Sequence, residues 1–256
     1  MPHADLILET KGLSKQFNGF TAVNGVDLRV KRGTIHALIG PNGAGKTTCF
    51  NLLTKFLTPT SGQILFDGRD ITRAAPAAIA RQGVVRSFQI SAVFPHLTPV
   101  ENVSIALQRP MGVSFRFWKS SAMLKRLRER ALDLLDEVGI GAHADVKTIE
   151  LAYGHKRALE IATTLAMDPV LMLLDEPTQG MGHEDIERVT ALIGKVSAGR
   201  TILMVEHNMK MVARIADTIT VLQRGEILAQ GDYASVAADP QVKEAYMGTE
   251  NASLEH

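Results

Sequence analysis

The sequence predicts an α/β layered domain with a largely parallel core sheet, a small antiparallel β piece beside it and a helical subdomain inserted into it. Three observations carry this. Short β-like runs alternate with helix-like runs over most of the 256 residues. Several of those runs are apolar without alternation, as strands covered on both faces are. From about Pro99 to Ala166 the alternation gives way to helical periodicity.

In chain order, the first thirty residues and Gln63–Asp67 are hairpin-like and supply the antiparallel piece. Val26–Val30, Ile35–Ile39, Val84–Phe88, Val170–Leu174, Ile202–Val205 and Ile219–Leu222 read as strands, and Thr47–Leu57 as a helix. Leu124, Leu127, Ala131, Leu134 and Leu135 recur at helical spacing and are expected on one apolar face. The expected organisation is one domain over 1–253, with the helical subdomain at about 91–166. Leu254-Glu255-His256 reads as the stub of a cloning scar.

Apolar residues make up 45% and charged residues 21%, ordinary for a globular protein with one large core. A net charge of +1 supplies no bulk field for nucleic acid, so no nucleic-acid partner is expected. The single cysteine, Cys49, excludes a disulfide framework and fits a reducing compartment; it reads as a packing thiol. The best apolar run, Ile161–Leu174, is too short to cross a bilayer and contains Asp168 and Pro169. Met1–Thr10 lacks the basic start and apolar stretch of a secretory signal. Phe115–Lys119, with Lys125, Arg126, Arg128 and Arg130, reads as a solvated helix face with a few core aromatics.

Gly40-Pro41-Asn42-Gly43-Ala44-Gly45-Lys46-Thr47 fits G-x-x-x-x-G-K-[ST] at every fixed position, between an apolar strand and a helix. The glycines let backbone N–H groups approach phosphate oxygens, and the following helix start adds a favourable dipole. Lys46 is expected at β- and γ-phosphates, the Thr47 hydroxyl on Mg²⁺ and Thr48 near the α-phosphate. A second signal is the apolar strand Leu171–Leu174 ending in Asp175 and Glu176. Carboxylates at a strand's carboxyl end lie where α/β folds bind ligands. Asp175 is expected to hold Mg²⁺ through water and Glu176 to act as general base on the attacking water. Pro177 is expected to bias Glu176 towards extended geometry.

Four further landmarks follow in order: Phe17 in Lys15-Gln16-Phe17-Asn18-Gly19, Gln89 in Arg86-Ser87-Phe88-Gln89, Leu151-Ala152-Tyr153-Gly154-His155-Lys156-Arg157, and His207 in Val205-Glu206-His207-Asn208. With them the chain resembles the ATP-binding-cassette family over essentially its whole length. The resemblance implies a P-loop NTPase (RecA-like) core and an ATPase using ATP and Mg²⁺. It implies that Phe17 stacks on adenine and that Gln89 touches Mg²⁺ at the hinge of the helical subdomain. It implies that Ala152, Tyr153, Gly154 and His155 form the signature that binds the γ-phosphate of ATP held by another subunit. His207 is then the switch histidine holding γ-phosphate and water in line. The signature departs from the usual pattern, with Ala152 for a serine and His155 for a glutamine, so about one hydrogen bond is lost. Gly180-Met181-Gly182 falls where the family has its dimer-contacting loop.

The Ala-Tyr-Gly signature followed by basic residues, the Arg-Ser-Phe-Gln run, the insertion around Met111–Arg130 and the ending Asp239-Pro240…Glu244-Ala245-Tyr246-Met247-Gly248 resemble the larger ATPase subunit of Liv-type branched-chain amino acid importers. That branch implies a second ATPase subunit, two membrane permease subunits and a periplasmic solute-binding protein as partners. It also implies a peripheral place on the cytoplasmic face of the plasma membrane. Urea or amide importers, lipid export and a soluble cassette are the alternative readings.

Overall fold

A computed structural model describes residues 5–87, 93–109 and 121–252, the side chains of 121 and 247–252 excepted. The chain opens with β1 (Leu6–Phe17), β2 (Phe20–Val26) and β3 (Arg29–Lys31), then enters β4 (Ile35–Ile39) and α1 (Lys46–Leu53). A second β excursion, β5 (Ser61–Phe66) and β6 (Arg69–Asp70), is followed by α2 (Pro76–Arg81) and β7 (Val84–Ser87). The helical stretch comprises α3 (Pro99–Leu107), α4 (Ser121–Glu137), two 3-10 turns at Gly141–His143 and Thr148–Glu150, and α5 (Tyr153–Leu165). The core resumes with β8 (Leu171–Asp175), α6 (His183–Val196), β9 (Thr201–Val205), α7 (Met209–Ile215), β10 (Thr218–Gln223) and β11 (Glu226–Gly231). It closes with α8 (Tyr233–Ala238) and α9 (Pro240–Ala252).

Two sheets result. The antiparallel one runs β2-β1-β5-β6, with β3 also paired to β1. The larger runs β11-β10-β4-β9-β8-β7, parallel from β10 to β7 with β11 antiparallel at the edge. Every residue of β4, β8 and β9 is buried, because both faces of this sheet are covered. Alternation then divides the core. Ala37, Ile39, Met172, Leu174, Ile202 and Met204 pack against the helices, while Leu38, Leu171, Leu173, Leu203 and Val205 pack against α1 and the antiparallel sheet. The register sets Leu38 and Asp175 both opposite Val205, so the carboxyl ends of β4, β9 and β8 stand side by side.

Three expectations shift. Val26–Val30 is not one strand, because the ladder to β1 is interrupted at Asp27 and Leu28. The Asp27 carboxylate accepts from the Gly12 N–H at 2.6 Å, and the Thr10 hydroxyl donates to the Val26 carbonyl and accepts from the Leu28 N–H. Val170 stays outside its strand and exposed, since the Val170 and Leu171 N–H groups both bond the Gly83 carbonyl. On α4, Leu127, Ala131, Leu134 and Leu135 are buried, but Leu124 lies near the helix start and faces out. Phe88, Phe115–Lys119 and the first half of the 111–130 insertion lie outside the described residues, as do 254–256.

Candidate active site

The fully buried β4 delivers the chain to Gly40, and the loop that follows feeds directly into α1 at Lys46. Its tightness depends on glycine. A Cβ on Gly45, held at φ 96°, would lie 2.3 Å from the Ala22 carbonyl oxygen, and one on Gly40 would lie 2.1 Å from that of Leu222. No side chain caps the start of α1, so its first N–H groups are left to an incoming anion. The Lys46 ammonium folds back over the loop, donating to the Gly40 carbonyl at 2.7 Å and the Pro41 carbonyl at 3.0 Å. Burial lowers its pKa, and the Glu176 carboxylate partly offsets this. Thr47 is exposed and Thr48 half-buried in the first turn; Pro41, Asn42, Gly43 and Ala44 form the bend itself.

Asp175 ends β8, with its carboxylate largely buried and Oδ2 accepting from Arg86 Nη2 at 2.5 Å. The next residue, Glu176, has φ 45°. This corrects the extended geometry expected from the following proline: tertiary bonds override the local bias. The Glu176 N–H donates to the Val205 carbonyl at 2.9 Å. Arg157 of α5 clamps the other side, its Nη2 donating to the Glu176 carbonyl at 3.1 Å and its Nε to the Pro177 carbonyl at 2.9 Å. A buried ion pair with Glu160, at 2.5 Å, fixes the same guanidinium. Burial raises the Glu160 pKa against the pull of Arg157.

Glu206, wholly buried after β9, ties the next two loops together. Its Oε1 accepts from the Thr178 N–H at 3.0 Å and the Thr178 hydroxyl at 2.5 Å. Its Oε2 accepts from the N–H groups of His207 at 2.8 Å and Asn208 at 3.0 Å. The exposed His207 is therefore anchored through its backbone to the segment that carries Glu176.

Phe17 ends β1 and is 40% exposed, with the Lys15 ammonium 5.0 Å from its ring centre. It is not a buried strand aromatic. Ala152 precedes the uncapped start of α5, and the Tyr153 hydroxyl donates to the Gln179 carbonyl at 3.1 Å. The ring of His155 lies 4.4 Å from that of His143, and its pKa is lowered by burial first and by His143 next. Among the described residues, no hydrogen bond joins Ala152, Tyr153, Gly154 or His155 to the phosphate loop of the same chain. Through the Tyr153 hydroxyl the signature stands with the loop after β8. Gln89 lies outside the described residues. Sequence reasoning did not assign Arg86, Arg157 or Glu206, although each stands inside a segment it quoted. The available signal was a charged residue in or just after an apolar strand, or one turn into a helix.

Comparison with known proteins identifies the family of the chain. The family model described as "ABC transporter" matches residues 23–179, and "Branched-chain amino acid ATP-binding cassette transporter" matches residues 226–252. The high-affinity branched-chain amino acid transport ATP-binding protein BraF of Pseudomonas aeruginosa is 41% identical over 249 residues, covering 94% of this chain and 98% of its own. LivG of Escherichia coli, described in the same words, is 37% identical over 254 residues, with 94% and 98% covered. The ADP conformation of MJ1267, an ATP-binding cassette of an ABC transporter, superposes with a TM-score of 0.83 at 30% identity, covering 95% of this chain and 99% of that one. The chain belongs to the ABC transporter family of nucleotide-binding ATPase subunits, in the branch of the branched-chain amino acid transport ATP-binding proteins.

Proposed function

We propose that this chain energises an importer of branched-chain amino acids by binding and hydrolysing ATP. The observation that carries the chemistry is the alignment of three strand ends, which gathers Lys46, Asp175, Glu176 and the Glu206-anchored His207. In this reading Phe17 stacks on adenine, and Gly40, Pro41, Asn42, Gly43, Ala44 and Gly45 offer N–H groups to the phosphates. Thr48 serves the α-phosphate side. Lys46 neutralises the β- and γ-phosphates, which supply the counter-charge that Glu176 now supplies in part. The donors suit Mg²⁺: Thr47 and Asp175 offer hard oxygens. Arg86 spans from Asn51, one helical turn beyond Thr47, to Asp175, so the two donor-bearing elements abut. Gln89 is the third candidate. The ion supplies charge neutralisation on the phosphates. Glu176 takes the proton of the attacking water, and His207 holds water and γ-phosphate in line.

Ala152, Tyr153, Gly154 and His155 serve ATP held by a second ATPase subunit, and the uncapped start of α5 at Ala152 leaves N–H groups for its γ-phosphate. ATP then joins the two subunits, and its hydrolysis parts them. Two permease subunits and a periplasmic solute-binding protein complete the assembly, with this chain peripheral on the cytoplasmic face of the membrane. Among the described residues no helix is long and apolar enough to cross it. The solute assignment is supported by the branch of the relatives and by the match at 226–252. Uptake of labelled leucine, isoleucine and valine in source cells carrying Glu176→Gln at the native locus tests it. Loss confined to these three is expected. Loss of urea or another solute instead would overturn the substrate, and unchanged uptake of every solute would overturn import.

A further inference from the structure

The Asp175 carboxylate has a partner that the assignments above leave idle. Arg86, the third residue of β7, donates from Nη2 to Asp175 Oδ2 at 2.5 Å and from Nη1 to Asn51 Oδ1 at 2.8 Å. Its guanidinium carbon lies 5.2 Å from the centre of the Phe50 ring and 5.4 Å from that of Phe56. Its Nε is buried and makes no hydrogen bond. The same side chain lines a groove of about 450 Å³ where α2, α3 and α5 meet over β7, together with Phe56, Ala77, Phe94 and Ile105. One guanidinium therefore touches the Asp175 carboxylate, the phosphate-loop helix and the wall of the groove.

We propose that Arg86 and Mg²⁺ compete for the Asp175 carboxylate, so that arrival of Mg²⁺ with nucleotide displaces the guanidinium and is thereby passed to the groove. Among the described residues, Arg86 is the cation paired with the largely buried carboxylate. A doubly charged ion drawn to the same oxygens repels the guanidinium at short range in a medium of low dielectric. The pairing it breaks is one in which a buried donor is already unsatisfied, while the bond to Asn51 and the two aromatic faces remain for the displaced group. Asn51 and Phe50 belong to α1 and Phe56 to the groove, so movement of Arg86 is felt on both sides. A purely structural Arg86 that only orients Asp175 predicts the opposite effect of its removal.

The inference rests on the assignment of Asp175 to Mg²⁺, and the experiment separates the two. Binding of a fluorescent methylanthraniloyl-ATP to the full chain is followed as Mg²⁺ is titrated, without turnover as the readout. Arg86→Met is expected to lower the half-saturating Mg²⁺ by about threefold or more, through loss of a competing cation. An unchanged or raised value overturns the competition. If Arg86→Met fails to fold, Arg86→Lys carries the test, with a smaller decrease expected and no decrease overturning. Asp175→Asn should remove the response to Mg²⁺. If it titrates as the wild type does, the assignment of Asp175 falls; if it is unresponsive while Arg86→Met matches wild type, only the competition falls. For transmission, Phe56→Trp in a Trp118→Phe chain should change emission on adding Mg²⁺ to the ATP complex. The added change Arg86→Met should abolish that signal, and its persistence overturns the link to the groove.

Discussion

Glu176 is a non-glycine residue in the left-handed region, a conformation that costs about 1–3 kcal/mol and persists only when its surroundings impose it. Arg157 and the Val205 carbonyl impose it here. Replacing its carboxylate alone leaves that backbone intact, so Glu176→Gln should keep ATP affinity while phosphate release slows about 10²–10⁴-fold; a rate equal to wild type would remove Glu176 from the chemistry. Glu206 acts through others. In Glu206→Gln an amide NH₂ would confront backbone N–H donors, costing about 2 kcal/mol of stability and disordering His207. A lower melting temperature together with a fall in kcat at unchanged ATP affinity is expected, and a fall in stability alone would limit Glu206 to folding. Cys49 is buried and its thiol pushed up to about 12, so a thiol reagent at neutral pH should label it only after denaturation. The phosphate-loop and carboxylate residues were legible because phosphate chemistry demands fixed residue types at fixed chain spacing. Arg86, Arg157 and Glu206 were not, since their partners lie 89, 19 and 28 residues away and only the fold brings them together.

The turn from β4 into α1 combines a buried strand, a loop without room and an uncapped helix start. Gly45→Ala violates both its φ of 96° and the 2.3 Å approach to Ala22, whose carbonyl is backbone and cannot swing aside. The loop must reshape to admit the methyl group, so ATP binding should be lost and the melting temperature lowered. Equilibrium binding of ATP near the wild-type affinity would show that the cradle tolerates the change. Parallel strands were legible at this scale because burial on both faces leaves runs that are apolar throughout, as in Leu171–Leu174, or broken once, as by His36 in Ile35–Ile39. Val26–Val30 misled because its apolar-charged alternation does not reveal that Asp27 and Thr10 bond the backbone across it. The α4 face was correct where four positions meet the core, and failed at Leu124, which is exposed in the first turn of the helix.

At the scale of the whole molecule, stability towards acid is tied to a histidine at the centre of the larger sheet. His36 of β4 is 1% exposed, bonded through Nε2 to the Thr220 hydroxyl on β10 at 2.8 Å, with Nδ1 buried and without a partner. Desolvation pushes its pKa down to about 4, against an ordinary value near 6.5. Between those values the unfolded chain binds a proton that the folded chain refuses, so the unfolded state gains as pH falls. The stabilisation is present above about 6.5, declines through this window and amounts to about 3 kcal/mol in all. Glu160 works the other way: its raised pKa makes the folded state the better proton acceptor just above 4.5, which favours folding as pH falls there. The histidine must therefore be isolated by comparison. His36→Gln keeps an amide for Thr220 and takes up no proton, so its urea midpoint should fall less than that of wild type between pH 6.5 and pH 4.5. His36 lies in the sheet that aligns the strand ends of β4, β8 and β9. Nucleotide affinity should accordingly fade over the same window in the wild type and persist further in His36→Gln. Identical slopes in the two proteins would show that carboxylates elsewhere, and not the sheet histidine, set acid tolerance.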